Sequence, residues 1–279
     1  MTDTAFQTQY RDEFIASFEQ SRSLLSSVCV NEAVIKGNTA TFLVAGSGGA
    51  TAVTRGVNGL IPARADSNTQ LSATLSEWHD LVRKTDFNVF ASQGNQRALM
   101  QKTTMNVINR KIDSDIIAQL DTATVDTGTS ATASLAMVTT AKAALGYADV
   151  PTEDINDIFG VVTPGFMAYL MQTREFASKE YVDVTMFGGA TRKMLNWAGV
   201  NWIEHNHLTG AQTSTEKCYL FHRNAIGHAV DKAGLQTPVG YDGEQGYSWA
   251  RASVNMGSKL LQNTGIVQMK HDGSAFALS

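Results

Sequence analysis

The tripeptide Asp126-Thr127-Gly128, inside Val125-Asp126-Thr127-Gly128-Thr129, carries the local sequence of an aspartic-protease carboxylate. That chemistry needs two carboxylates sharing one proton. The chain has no second Asp-Thr-Gly, so a symmetric dimer would have to supply the partner. The flanks, Asp121-Thr122-Ala123-Thr124 and Ser130-Ala131-Thr132, are polar where a buried pair would need apolar strands. His205-Asn206-His207 sets two imidazoles on one face of an expected strand, with Glu204 pointing the other way. Zinc takes three or four ligands; no third one is close in sequence, though His222 and His228 could join the pair in space. Gly46-Ser47-Gly48-Gly49, with Asp66 downstream, suggests a dinucleotide loop, but the third glycine position is Thr51 and no helix starts there to hold a pyrophosphate. Cys29 and Cys218 lack paired spacing and read as reduced thiols. No catalytic, cofactor-binding or metal-ligating residue is therefore expected. Arg55, Arg64 and Asp66 remain, either as a solvated loop or as ion-pairing groups for a neighbouring subunit, where arginine bonds in bidentate fashion.

Composition narrows the classes further. The formal net charge is −4, with acids and bases intermingled, so no concentrated basic face exists to grip nucleic acid. Charged residues make up 17% of the chain, against about 25% in ordinary domains. Small neutral polar residues replace them and cost less to desolvate, which suits extensive subunit contacts. Met1-Thr2-Asp3-Thr4-Ala5-Phe6 has no basic segment before an apolar core, so no secretory signal is expected. The longest apolar runs, Phe42 to Ala45 and Ile158 to Val162, fall far short of the roughly 20 residues that span a bilayer. A soluble chain without a membrane partner is expected.

The elements that must position these groups are unlike one another. Phe6, Tyr10, Phe14 and Phe18, extended by Ile15, Leu24 and Leu25, predict an amphipathic helix over Thr4 to Ser27, docked on its own domain or lying as an arm on a neighbour. Asn38 to Ala45, the glycine cluster and Ala50 to Arg55 predict a hairpin, followed by a long loop from Arg55 to Leu75. A strand is expected over Ser76 to Phe87, packing through Trp78, Leu81 and Val82. Met105, Ile108, Ile112, Ile116 and Leu120 mark the strongest helix, from about Gln93 to Leu120. After the linker Asp121 to Ala133 comes a short helix, Ala131 to Leu145, closed by Gly146. A strand over Asp157 to Thr163 leads into a helix capped by Thr163 with Pro164 first. Strands follow at Val200 to His207 and Cys218 to His222, a helix or turn at Asn224 to Ala233, and strands at Ser248 to Val254 and Gly265 to Lys270. The polar β segment from Lys36 to Arg83 has no core of its own and must lie on something. That predicts a subunit built for assembly.

This order of parts resembles major capsid proteins of tailed bacteriophages with the HK97 fold. Three stretches carry the resemblance: Thr41 through Arg55, Ile61-Pro62 and Asp80 to Lys84 for an extended E-loop; Thr85-Asp-Phe-Asn-Val-Phe-Ala-Ser-Gln and the Met105 to Leu120 helix for a P-domain with its spine helix; and Trp249-Ala-Arg-Ala-Ser-Val-Asn-Met-Gly through Gly265-Ile-Val-Gln-Met for the β return. The resemblance implies an α+β chain: an N-terminal arm helix at 1–35, the E-loop at 36–84, the P-domain at 85–127 with return strands at 241–279, and an A-domain at 128–240. It implies a non-enzymatic subunit of an icosahedral virion head, assembled in the host cytoplasm from pentamers and hexamers around double-stranded DNA held without sequence-specific contact. A separate scaffolding protein, a portal protein and decoration proteins are the implied partners. Inter-subunit contacts are expected at Arg55, Arg64, Asp66, Phe6, Tyr10 and Phe14. About 35 residues precede the presumed E-loop, too few for a fused scaffolding extension, and no lysine lies between Lys36 and Lys84, so a loop-tip isopeptide bond is not expected. An encapsulin-like compartment shell and a soluble aspartic-type hydrolase are the alternatives.

Overall fold

The computed structural model describes residues 20, 22–31, 33–86, 88, 96–154, 156–174 and 194–277. Phe6, Tyr10, Phe14 and Phe18 of the expected arm lie outside these. The chain divides into two compact units, one of residues 1–23, 76–113 and 230–256, the other of 24–75, 114–229 and 257–279.

In the first unit, β4 (Ser76–Thr85), β10 (Val239–Asp242) and β11 (Tyr247–Leu260, through Met256 in this unit) form an antiparallel sheet in the order β10-β11-β4. The β4–β11 register runs from Tyr247 opposite Thr85 to Met256 opposite Ser76. Strand periodicity corrects one expectation here. Trp78 and Val82 share the half-buried face of β4, but Leu81 is one residue out of phase and is exposed. The helix α1 (Gln96–Leu120), of which residues 96–113 belong to this unit and 114–120 to the other, buries Met100, Thr104, Ile108, Ile112, Ile116 and Leu120, a stripe at four-residue steps. The Lys111 ammonium sits 3.9 Å from the centre of the Trp78 ring. Asp113, also buried, accepts hydrogen bonds from Gln20 Nε2 and from Ser23 Oγ at 2.5 Å. The expected arm helix does not continue through Ser27: residues 22–29 are bends and turns. Their serines compete for the backbone hydrogen bonds a helix would use.

The second unit is built on a five-stranded sheet. Its order is β12 (Ile266–His271), β8 (Glu216–His222), β5 (Ile158–Val162), β7 (Val200–Glu204) and β6 (Met194–Trp197). Only the β5–β7 pair is parallel. Every residue of β5 is buried, as its unbroken apolar run requires of a central strand. Gly160 lets Trp202 lie across it, since a Cβ there would stand 2.6 Å from the indole. α2 (Leu135–Tyr147) starts at Ser134, whose hydroxyl accepts from the Met137 amide, and α3 (Pro164–Gln172) starts at Thr163, which does the same for Phe166. Pro164 opens α3 as expected. Gly146, by contrast, does not close α2: the helix runs through it to Tyr147, and Asp149 adopts the left-handed conformation instead, with φ 54°. The stretch read as helix or turn, Asn224 to Ala233, holds a single 3-10 turn, Arg223–Ala225, and then β9 (Ile226–Val230). A second sheet in this unit joins β1 (Val34–Lys36), β2 (Thr39–Gly46) and β3 (Ser67–Thr74), all antiparallel.

Candidate assembly surface

The β2–β3 hairpin is the element that the sequence leaves without a core. Its register runs from Thr39 opposite Thr74 to Gly46 opposite Ser67, a ribbon roughly 26 Å long. The return strand therefore differs from the one expected at Ala50 to Arg55. Residues 50–66 form no strand, and Ser67–Thr74, read as loop for its polarity, pairs instead. Ladder hydrogen bonds need no apolar side chains, so Ser-Asn-Thr-Gln pairs as readily as Val or Ile once its register partner is fixed.

One end of this ribbon is anchored. Ala40, Phe42 and Ala73 are buried with Ala229 of β9, and Val30, Ala33, Ile35, Leu75 and Leu261 close around them. Gly227 makes room for the ring, because a Cβ there would stand 2.7 Å from Phe42. One bridge, Val30 to Gly227, runs alongside. Beyond Phe42 the burial ends. Leu43 is 74% exposed, and Val53, Val57, Leu60 and Ile61 are all exposed on the loop that follows. Five large apolar side chains left exposed within so short a stretch make this hairpin the candidate interaction site.

The charged residues of this loop fold back on it. Arg64 and Asp66 pair with each other at 3.2 Å, and Arg64 Nη1 lies 3.5 Å from the Ser47 carbonyl. Arg55 Nη1 donates to the Gly59 carbonyl at 2.8 Å. An exposed pair of this type contributes about 0–1 kcal/mol, so it shapes the loop without holding it. Gly46 to Gly49 is the start of this loop: Gly48 and Gly49 have φ 63° and 73°, and no helix follows. The phosphate-binding reading thus has no helix terminus to stand on.

The remaining candidates are structural. Asp126 accepts from the Gly128 amide at 2.8 Å and from Lys270 Nζ at 2.7 Å, and these hydrogen bonds, Lys270 first, hold its carboxyl below the ordinary carboxylate range. The carboxylate is partly exposed and ion-paired to Lys270, not set in the buried two-carboxylate site that proteolysis needs. His205 and His207 lie past the end of β7, not on it, with ring centroids 6.1 Å apart. The His205 Nδ1 accepts from the His207 amide. His205 follows Val162's end of β5, whereas His222 pairs opposite Ile158 at the other end, roughly 13 Å away. His228 is bonded to Ser258. Among the described residues no group of three or more His, Cys, Asp or Glu side chains is placed to hold a metal. Cys29 and Cys218 are both buried and neither is in a disulfide; the Cys29 thiol donates to the Leu25 carbonyl, and burial pushes the Cys218 thiol up. No described helix is long and apolar enough to cross a membrane.

Sequence reading missed a polar hub at the end of α1. Asp121 accepts from Thr209 Oγ1, Tyr219 OH at 2.6 Å and Lys217 Nζ at 3.0 Å, while Gln268 Nε2 donates to the carbonyls of Leu120, Asp121 and Ala123. These partners lie about ninety and more residues away in sequence, so no local signal announces them. Burial pushes Asp121 up, but the hydrogen bonds from Thr209, Tyr219 and Lys217 outweigh it and hold the carboxyl below its ordinary 3.8. A depressed folded-state value means that this contribution is full above the unfolded value and is lost as pH falls through the folded one. Asp121→Asn is therefore expected to lower stability by about 1–2 kcal/mol at neutral pH. The gap from wild type should narrow as pH falls below 3.8 and through the lower folded value. Urea unfolding at neutral and at acid pH checks this; a gap that widened in acid would exclude the mechanism.

Three comparisons relate the chain as a whole to known proteins. The family model described as phage capsid protein matches residues 2–273. No curated protein sequence matches. Among solved structures the chain is similar to one from Mycobacterium phage Che8, with 18% identity, a TM-score of 0.74, and 96% of this chain and 98% of that chain covered. The capsid asymmetric unit of Cyanophage Pam1 aligns with 11% identity, a TM-score of 0.73 and 98% of each chain. The capsid of Ralstonia phage GP4 aligns with 11% identity, a TM-score of 0.71, and 96% of this chain and 95% of that one.

Proposed function

The chain belongs to the phage capsid protein family, as a structural subunit of the head and not an enzyme, and from that premise we propose how it assembles. The subunits join as pentamers and hexamers into an icosahedral shell around double-stranded DNA, in the host cytoplasm. The observation that carries this reading is the hairpin, which buries Phe42 at its root and leaves the rest of its length uncovered. Residues 36–84 act as an E-loop laid over an adjacent subunit, where Arg55, Arg64 and Asp66 exchange their contacts within the loop for contacts across the interface. Phe6, Tyr10 and Phe14, on the arm at 1–35, dock on a neighbour. Residues 85–127 and 241–279 serve as the P-domain and 128–240 as the A-domain. The chemistry of the loop supports non-covalent closure, since it holds no lysine from Gly37 to Arg83. The low net charge fits a container that encloses DNA without gripping its sequence. A separate scaffolding protein, a portal protein and decoration proteins complete the head.

Sedimentation of the purified protein, with negative-stain microscopy of the fast fraction, tests the reading. Shells, sheets, or rings of five and six are the expected result. A sharp monomer or dimer that persists at high concentration and with scaffolding protein added would overturn it.

A further inference from the structure

At the far end of the loop the chain turns back through Gly56-Val57-Asn58-Gly59-Leu60. The Gly59 amide donates to the Gly56 carbonyl at 2.8 Å, and the Gly56 amide to the Leu60 carbonyl at 2.9 Å. Gly59 has φ 74°, and nothing lies within 4 Å of where its Cβ would be. No hydrogen bond to the Asn58 side chain is present among the described residues. We propose that Asn58-Gly59 is a site of spontaneous covalent modification, at which the side-chain amide is lost through a cyclic imide.

The chemistry balances with water alone. The Gly59 nitrogen gives up its proton and attacks the Asn58 side-chain carbonyl carbon. A five-membered succinimide closes, and the amide nitrogen leaves as ammonia with the proton. Water then opens the imide at either carbonyl, giving an aspartyl or an isoaspartyl residue at that position. Glycine is the residue that least obstructs the approach, having no side chain on the attacking unit. The turn's hydrogen bond must open first, and exposed loops without core contacts open at close to no free-energy cost. Arg55 adds a second feature. Its guanidinium is bonded to the Gly59 carbonyl, and covalent geometry keeps that cation within roughly 5–6 Å of the nitrogen that must ionise. A positive charge at that range favours the amide anion roughly three- to fourfold in water.

The two Asp-Gly pairs of the chain show why this one is singled out. Asp242 accepts from the Glu244 and Gln245 amides, and Asp272 from the Ser274 amide and hydroxyl. Both carboxylates are committed to the following turn, and an ionised carboxylate is a poor target for attack.

Modification adds a negative charge beside Arg55 and, in the isoaspartyl form, a methylene in the turn backbone. If the loop is covered on assembly, as the proposed function holds, the free subunit carries a chemical timer that closure into a shell stops. The test is peptide mapping of the full-length protein, aged in parallel as free subunits and as assembled shells. Trypsin releases residues 56–64 as one peptide, or residues 37–64 where Arg55 is replaced, and isoaspartyl methyltransferase labelling identifies the product. In free subunits Asn58 is expected to lose its amide before any other asparagine, faster at higher pH. Arg55→Gln should slow it three- to fourfold, and Gly59→Ala should remove most of it. An intact Asn58 in samples where other asparagines have converted, or an unchanged rate in Gly59→Ala, would overturn the site. Equal rates in free subunits and shells would overturn the protection, and with it the covered loop, while leaving the chemistry standing.

Discussion

A subunit lacking residues 47–66, with Gly46 joined to Ser67 through a two-residue turn, is expected to fold normally and to build no closed shell. The removed residues are exposed throughout, and their hydrogen bonds stay within the loop. The anchoring contacts of Phe42, Ala40 and Ala73 all lie on the retained side. Shortening a flexible loop changes its closure entropy only slowly, by about 0.6 kcal/mol per halving, so the melting temperature should scarcely move. The assembly term is different in kind. A stable interface buries about 800 Å² on each partner. The proposed overlap would lose Val53, Val57, Leu60 and Ile61 from every copy at once. If each subunit contributes the same loop to its neighbour, as proposed, the loss is repeated at every contact. The deletion protein should therefore sediment as subunits or small oligomers. Closed shells of ordinary size from a normally folded deletion protein would sink the assignment of this loop to the interface.

Much of the architecture was legible because local physics fixed it. The apolar steps of α1, the unbroken apolar run of β5 and the Thr163-Pro164 entry into α3 each point to one solution. Position 146 was less decisive, because a glycine can end a helix or merely sit in one, and the left-handed residue proved to be Asp149. The hairpin was misread at its return strand for a related reason. Ser67–Thr74 pairs through its backbone and buries little but Ala73, so its side chains carry almost no signal of a strand. Leu81 misled in the opposite sense: its apolar character suggested packing, but the phase of β4 set by Trp78 turns it outward. The candidate assembly surface is suggested by the scarcity of large apolar residues between Lys36 and Arg83. Its root is not, because Gly227 and Ala229 sit some 185 residues downstream of Phe42 in an otherwise ordinary strand.

Phe42 and Leu43 separate folding from assembly within two adjacent residues. Strand alternation puts them on opposite faces of β2, Phe42 at 2% exposure against Ala229 and the Gly227 backbone, Leu43 at 74%. Phe42→Ala is expected to destabilise the subunit by about 3–5 kcal/mol, because Gly227 has no side chain with which to fill the space left by the ring. The loss should be concentrated at the hairpin root, visible as faster amide exchange in β2 and β3. Leu43→Ser removes little intramolecular packing, so its effect on unfolding should stay within about 0.5 kcal/mol. If the outward face of β2 is covered in the shell, Leu43→Ser nevertheless lowers the pelletable fraction, since it places a hydroxyl where the neighbour would bury a methyl pair. The two variants then dissociate: one loses stability and assembly together, the other assembly alone. A Leu43→Ser protein that assembled like wild type would locate the covered surface elsewhere on the hairpin. An unchanged unfolding midpoint in Phe42→Ala would show that the ring does not anchor it.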